Sequence, residues 1–127
     1  MKVWVEVSIS GRISVQAETL EEADREAREA LDRVHRRKPR CRVGGLELQV
    51  DEVLPTPEGA LPSEVPGGVW ELPVTVFGAA AVEAPSVERA RREVEAAIAR
   101  LPGGLLRLGD DAAVAVESAG VTEAREW

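Results

Sequence analysis

The sequence contains few of the residues from which catalytic and metal sites are built. It has one cysteine, one histidine, and no asparagine or tyrosine. A single cysteine, Cys41, excludes an internal disulfide, and a single histidine, His35, leaves no Cys/His group with the spacing of a zinc site. No glycine pattern typical of nucleotide or dinucleotide binding is present. The sequence therefore predicts no catalytic residue, no metal and no cofactor, which favours a protein that is not an enzyme.

His35 and Cys41 are the one pair that an enzymatic interpretation could use. They lie six residues apart beside several cations, and cations with a neighbouring imidazole lower the pKa of a thiol. A lone cysteine next to a strand is more often a small buried hydrophobe. We therefore expect a structural role for Cys41.

Long hydrophobic runs are also missing. No stretch of 18 apolar residues occurs, so the sequence predicts no membrane span and no membrane partner. The chain passes from Met1 straight into an alternating pattern that contains Glu6, which is not the pattern of a secretion signal. With 44% hydrophobic and 31% charged residues, the composition is typical of a soluble globular domain. We expect one cytoplasmic domain over residues 1–127.

What the sequence does contain is an internal repeat. Residues 3–34 recur as residues 70–101 at a constant offset of 67, with ten identical pairs among 32. In the first copy apolar residues alternate from Val3 to Ile9 and again from Ile13 to Ala17, which predicts two strands. Between them Gly11 is typical of a tight hairpin turn. Gly78 is its equivalent, and an internal duplication is predicted.

A helix follows the strands in each copy. Thr19-Leu20-Glu21-Glu22 fits a capping box, so the first helix is predicted to begin at about Leu20, and Ser86 is the equivalent cap. Apolar residues then recur at spacings of three and four on one stripe. The stripe comprises Leu20, Ala23, Ala27, Ala30, Leu31 and Val34 in the first copy, and Val87, Ala90, Val94, Ala97, Ile98 and Leu101 in the second.

Apolar segments at 46–50 and 113–117 predict a third strand in each half. Segments 40–43 and 105–108 are candidates for short fourth strands, paired through turns at Gly44-Gly45 and Gly109-Asp110. Residues 55–68 hold four prolines and three glycines, a composition typical of a linker. The predicted organisation is repeat 1 over about 1–54, a linker over 55–68, repeat 2 over about 69–120, and a tail over 121–127.

These units with helix starts Thr-x-Glu-Glu-Ala and Ser-x-Glu-x-Ala resemble small uncharacterised duplicated α+β proteins of high-GC thermophilic bacteria. Arginine outnumbers lysine 14 to 2, as is common in such organisms, and thermolabile residues are scarce. The predicted fold is α+β, a two-layer sandwich of duplicated β-β-α-β units. It has a mainly antiparallel sheet, two helices on one face, and a pseudo-twofold axis. The resemblance implies no activity.

Two groups of residues are candidates for binding. The first is the basic run Arg36, Arg37, Lys38, Arg40 and Arg42, which either balances the end of the first helix and an acidic surface or binds an anion such as a phosphate or nucleic acid. The net charge of −7 argues against broad nucleic-acid affinity. The second is a predicted outward strand face that is partly apolar and comprises Thr75, Phe77, Ala79 and Ala81.

Two functions follow from these candidates. The leading hypothesis is a non-enzymatic interaction or assembly module, self-associating or binding another protein through the face of the sheet or the edge of a strand. The alternative is an anion or nucleic-acid binder that uses the basic run.

Overall fold

The computed structural model describes residues 1–55, 63–65, 67–110 and 112–127. These residues form two helices and seven strands. In chain order the elements are β1 Lys2–Gln16, α1 Leu20–Arg37, β2 Arg40–Val43, β3 Leu46–Pro55, β4 Ser63–Val65, β5 Val69–Glu83, α2 Val87–Ile98, β6 Leu105–Leu108 and β7 Ala112–Glu126. The prediction of an α+β fold is confirmed, and so are the short strands at 40–43 and 105–108.

All strands belong to one antiparallel sheet with the order β2-β3-β5-β1-β7-β6, and β4 pairs with β5 beyond the end of β3. The centre of the sheet is the pair β1 and β5, which run side by side over their full 15 residues, from Lys2 opposite Glu83 to Gln16 opposite Val69. The predicted mainly antiparallel sheet is confirmed.

The predicted hairpin at Gly11 is wrong, because β1 continues straight through this residue. A Cβ atom at Gly11 would collide with the carbonyl oxygen of Ala115, and one at Gly78 would lie 2.6 Å from the carbonyl oxygen of Gln49. The register of the strand pairing shifts at both places. The pairing of β1 with β7 shifts between Ser10 and Gly11, and the pairing of β3 with β5 shifts between Val50 and Glu52. Both positions therefore require glycine, because the backbone of the neighbouring strand comes too close at the bulge to leave room for a side chain.

This correction changes the order of elements in each half. The structure has β1-α1-β2-β3 and β5-α2-β6-β7, so the unit is β-α-β-β and not the predicted β-β-α-β. A signal in the sequence supports the single strand, since Val3, Ile9, Ile13 and Val15 all occupy odd positions. Their parity is unbroken across Gly11.

The core lies on the face of the sheet that carries the helices. Val3, Val5, Val7 and Ile9 of β1 are all buried there, as their alternation predicted. The helix stripes supply the other layer, and their buried residues are Ala23, Ala27, Leu31, Val34, Ala90, Val94, Ala97 and Ile98. Leu20, placed on the stripe by sequence, is 41% exposed, because it is the first residue of α1 and lies beyond the covered part of the helix.

Side-chain caps fix where each helix begins. The hydroxyl of Thr19 accepts a hydrogen bond from the backbone N–H of Glu22 at 3.2 Å, and the hydroxyl of Ser86 accepts from that of Arg89 at 3.1 Å. The Glu22 carboxylate accepts in return from the backbone N–H of Glu18. These bonds use backbone donors that the first turn of a helix leaves free.

The sheet curls until its two edges approach each other. The Cys41 thiol of β2 donates a hydrogen bond to the Arg107 carbonyl oxygen of β6 at 2.9 Å, although these strands lie at opposite ends of the strand order. The shape is therefore close to a barrel and differs from the open layer of a two-layer sandwich. Long antiparallel strands twist and coil, and over 15 residues this brings the edges together.

Two boundary predictions also need correction. Of the predicted linker 55–68, residues 56–62 and 66 lie outside the described residues, while Pro55 ends β3 and Ser63–Val65 forms β4. The predicted tail 121–127 is mostly strand, since β7 continues to Glu126. Register shifts along β7 interrupt the spacing of its inward-facing Ala119, Val121 and Ala124, so the alternation is hard to detect in the sequence. In the part of the chain that the structure describes, neither helix is long and apolar enough to cross a membrane.

Candidate functional site

The structure divides the basic run into two groups. Arg36 and Arg37 lie in the last turn of α1, and Lys38 is its C-cap, with φ of 43° and a backbone N–H that donates to the Val34 carbonyl at 2.9 Å. Positive side chains at this end are stabilised by the helix dipole. The helix-end interpretation thus accounts for these three residues.

Arg40 and Arg42 belong to the second group, on β2. They point away from the core, because the alternate residues Cys41 and Val43 are the buried ones. On β6 the same alternation buries Leu106 and Leu108 and turns Arg107 outward. Because the two edges of the sheet meet, Arg107 lies beside Arg40 and Arg42 of the basic run. Arg107 follows Arg42 by 65 residues, so no local pattern in the sequence could indicate that they are neighbours.

A cavity of about 460 Å³ lies at this junction of β2 and β6, which we call the seam. Its charged lining residues are Arg40, Arg42, Arg107 and Asp110, and Leu101 and Leu105 contribute apolar surface. The Nη1 atom of Arg40 is 3.4 Å from the Glu47 carboxylate. The guanidinium groups of Arg42 and Arg107 form no hydrogen bond or ion pair with the described residues, although Glu47 lies opposite Arg42 on β3. The seam thus carries an excess of positive charge.

His35 and Cys41 have separate structural roles. The Nε2 atom of His35 accepts a hydrogen bond from the backbone N–H of Val53 at 2.9 Å and lies 2.8 Å from the carbonyl oxygen of the same residue. Cys41 is buried, and its thiol donates to Arg107. Burial raises the pKa of the Cys41 thiol, which is the opposite of what a nucleophile requires. Nothing in this geometry joins the two residues.

The second candidate region is the side of β3, β5, β1 and β7 that faces away from the helices, which we call the outer face. Of the four predicted residues, Thr75 is half-buried, Phe77 is 37% exposed, and Ala81 is exposed. Ala79 is 1% exposed, because it lies between its strand partners Glu6 and Gln49. The prediction that Ala79 is available for contact is therefore wrong.

Leu54 belongs to the outer face but was missed by sequence reasoning. It is 37% exposed, like Phe77, and pairs with Thr75 on β5. Its position became outward only through the register shift in β3 between Val50 and Glu52. A strict alternation counted from Leu46 would have turned Leu54 toward the core.

Two arginines form ion pairs with glutamates of the outer face. Arg12 lies 2.9 Å from the Glu117 carboxylate and 3.9 Å from that of Glu71. Arg125 lies 3.6 Å from Glu6 and 3.4 Å from Glu123. Between these groups the face carries small side chains, which are those of Ser8, Ser10, Ser118 and Gly120.

One end of the outer face carries tryptophans. The Trp4 and Trp127 rings meet edge to face with centroids 5.4 Å apart, and the Lys2 ammonium lies 4.0 Å from the Trp127 centroid. This contact orients the Trp127 side chain, which is 66% exposed. The arrangement is an amphipathic surface of the kind that is frequent at protein interfaces.

Among the described residues, no three His, Cys, Asp or Glu side chains are grouped in a way that would hold a metal ion. No protein-family model matches the chain, and no curated protein or solved structure is similar enough to be recognised as a relative.

Proposed function

We propose that the protein is a non-enzymatic assembly module of the bacterial cytoplasm that pairs with a second copy of itself through the outer face. The observation that supports this is the pattern of that face. A four-strand surface carries small side chains at its centre and two exposed apolar residues, Phe77 and Leu54, beside them. A sheet face of this kind is stabilised when a second layer covers it.

The size of the outer face agrees with a stable dimer. Four strands about 4.8 Å apart and up to about 15 residues long cover at most roughly 900 Å². A standard protein interface buries about 800 Å² on each partner. The outer face is therefore large enough to supply an interface of standard size.

The arginines of the outer face are already paired within it, which argues against a strongly acidic partner. Arg12 and Arg125 each pair with two glutamates of their own face, so the main basic charges are already balanced. Small residues such as Ser8 and Gly120 allow two sheets to pack at about 10 Å. Twofold dimers are the commonest closed assembly of soluble proteins.

Sedimentation equilibrium or light scattering over a concentration series tests this proposal. The parent should be a dimer, and Phe77→Glu should weaken dimerisation at least tenfold because it places a charge from each copy in the apolar part of the interface. Leu20→Glu is the matched control, since Leu20 is about as exposed but lies on α1. A parent that stays monomeric at every concentration contradicts the proposal, as does a Leu20→Glu variant that dissociates like Phe77→Glu.

We also propose that the chain arose by duplication of a β-α-β-β unit. Three observations support this: the constant offset of 67 in the sequence, the matching element order of the two halves, and the equivalent close approaches at Gly11 and Gly78. Isolated expression of residues 69–127 tests whether one unit folds alone. We expect it to be unfolded or to associate, since about 60 residues bury little surface.

A further inference from the structure

The seam carries a feature that the proposed dimer does not use. Arg40, Arg42 and Arg107 project from two strands that reach each other only because the sheet curls, and all three line one cavity. Among the described residues, Asp110 lines the cavity with them, and Glu47 pairs with Arg40 from outside it. Two guanidinium groups, those of Arg42 and Arg107, form no close ion pair with a described residue, although Glu47 lies opposite Arg42 in the register of β2 and β3.

Arginines that outnumber the carboxylates around one cavity are stabilised by an anion. Guanidinium groups bind phosphate through paired, charge-assisted hydrogen bonds, more specifically than lysine does. Like charges held close together also repel, so a bound dianion removes a repulsion as well as forming new bonds. The seam uses arginine at each of its three cationic positions.

The cavity also has an apolar side. Leu101 is half-buried, and Leu105 is 65% exposed on β6, and both line the same space as the arginines. Its volume of about 460 Å³ is within the range of small-molecule sites, which combine apolar walls with a few convergent polar groups. An inorganic ion would leave the leucines uncovered.

We propose that the seam binds a small phosphate monoester, with the phosphate on Arg40, Arg42 and Arg107 and the organic part against Leu101 and Leu105. This site is narrower than the basic run of the sequence. It excludes Arg36, Arg37 and Lys38, which complete the end of α1, and it adds Arg107. An extended nucleic acid would need a longer basic surface, and Glu47 and Asp110 border the seam instead.

Calorimetric titration with inorganic phosphate and with phenyl phosphate at low ionic strength tests the proposal. The parent should bind both, and phenyl phosphate more tightly. Arg42→Gln and Arg107→Gln should each weaken both ligands at least tenfold, whereas Arg36→Gln, the same change at the helix end, should not. Leu105→Ser should remove the preference for phenyl phosphate and leave phosphate binding unchanged. All four side chains are exposed, and helical circular dichroism confirms that each variant is folded.

Three results would overturn the proposal. The first is a parent that binds neither ligand. The second is an Arg36→Gln variant that loses as much affinity as Arg107→Gln, which would indicate a diffuse charge effect. The third is tight binding of a short oligonucleotide that disappears when Arg36, Arg37 and Lys38 are all changed to Gln, which would assign the basic run to nucleic acid. The oligomeric state is measured separately, so a failure here leaves the proposed dimer unaffected.

Discussion

Ile9 of β1 lies directly opposite Val76 of β5, and the two positions are 67 residues apart, which is the offset of the sequence repeat. Each residue of β1 faces one residue of β5, and Ile9 and Val76 are the pair at the centre of this register. The register stays the same when the two strands are exchanged about that pair. Val53 of β3 lies opposite Val76, and Ala119 of β7 lies opposite Ile9, so these four residues form a row across the sheet. The two halves therefore share one sheet and one core, and neither encloses a core of its own.

The two ends of this row differ. At Val53 the edge of β3 is covered by the His35 imidazole. Beyond Val116, which exchanges hydrogen bonds with Gly103 and Gly104, the described residues give β7 no strand partner on the side away from β1. Its register shifts and its charged residues are features that discourage pairing with another chain. This is why the outer face, and not the β7 edge, carries the proposed dimer.

Replacing either bulge glycine should destabilise the fold. Gly11→Ala places a methyl group against the Ala115 carbonyl and Gly78→Ala places one against that of Gln49, so each should cost about 1–3 kcal/mol of unfolding free energy. Gly120→Ala is the control, because no atom lies within 4 Å of its added Cβ. Chemical denaturation measures all three. Equal stability of Gly11→Ala and Gly120→Ala would contradict the close approach.

A charge on either helix stripe should be severely destabilising. Ala27→Asp and Val94→Asp each bury a carboxylate at a position that is at most 5% exposed, with an expected cost of several kcal/mol. Glu29→Ala, on the exposed side of α1, should change stability by less than about 0.5 kcal/mol. Thermal melts compare the three variants. A normal melting temperature for Ala27→Asp would refute the packing of α1 on the sheet.

Removing the His35 imidazole should loosen the edge of β3. His35→Ala leaves the Val53 backbone N–H without its acceptor, which should cost about 1–2 kcal/mol. Amide hydrogen exchange at Val53 should be faster by a factor of at least ten, while Val76, in the middle of the sheet, changes less. The neighbouring exposed variant Arg36→Ala serves as the control. Unchanged exchange at Val53 would show that the imidazole does not protect this edge.

Cys41 should make stability fall in alkaline solution. Burial raises the pKa of the folded thiol above its ordinary value of 9.0, so the folded chain keeps a proton that the unfolded chain releases. The contribution of Cys41 is thus complete below the unfolded pKa and is lost as the pH rises toward the folded pKa. Denaturation from neutral to strongly alkaline pH should show the parent losing stability relative to Cys41→Ala. A constant difference between them would contradict the burial.

Alternation and the spacing of apolar residues, both local properties, were sufficient for many elements. Thr19 and Ser86 set the helix starts, the stripe around Ala27 and Val94 set the buried faces, and glycine turns marked the strands at 40–43 and 105–108. These features depend on neighbours within a few residues along the chain. They can therefore be predicted without knowledge of any long-range contact.

Features that depend on distant segments were decided only by the tertiary structure. Gly11 in an alternating run is equally compatible with a turn and with a close approach to Ala115, and only the position of β7 distinguishes them. Arg107 joins Arg42 because strand twist closes the sheet, and Ala79 is covered because Glu6 and Gln49 flank it. Local sequence fixes which way a side chain points relative to its own strand, whereas the register and curvature of the whole sheet fix what it meets.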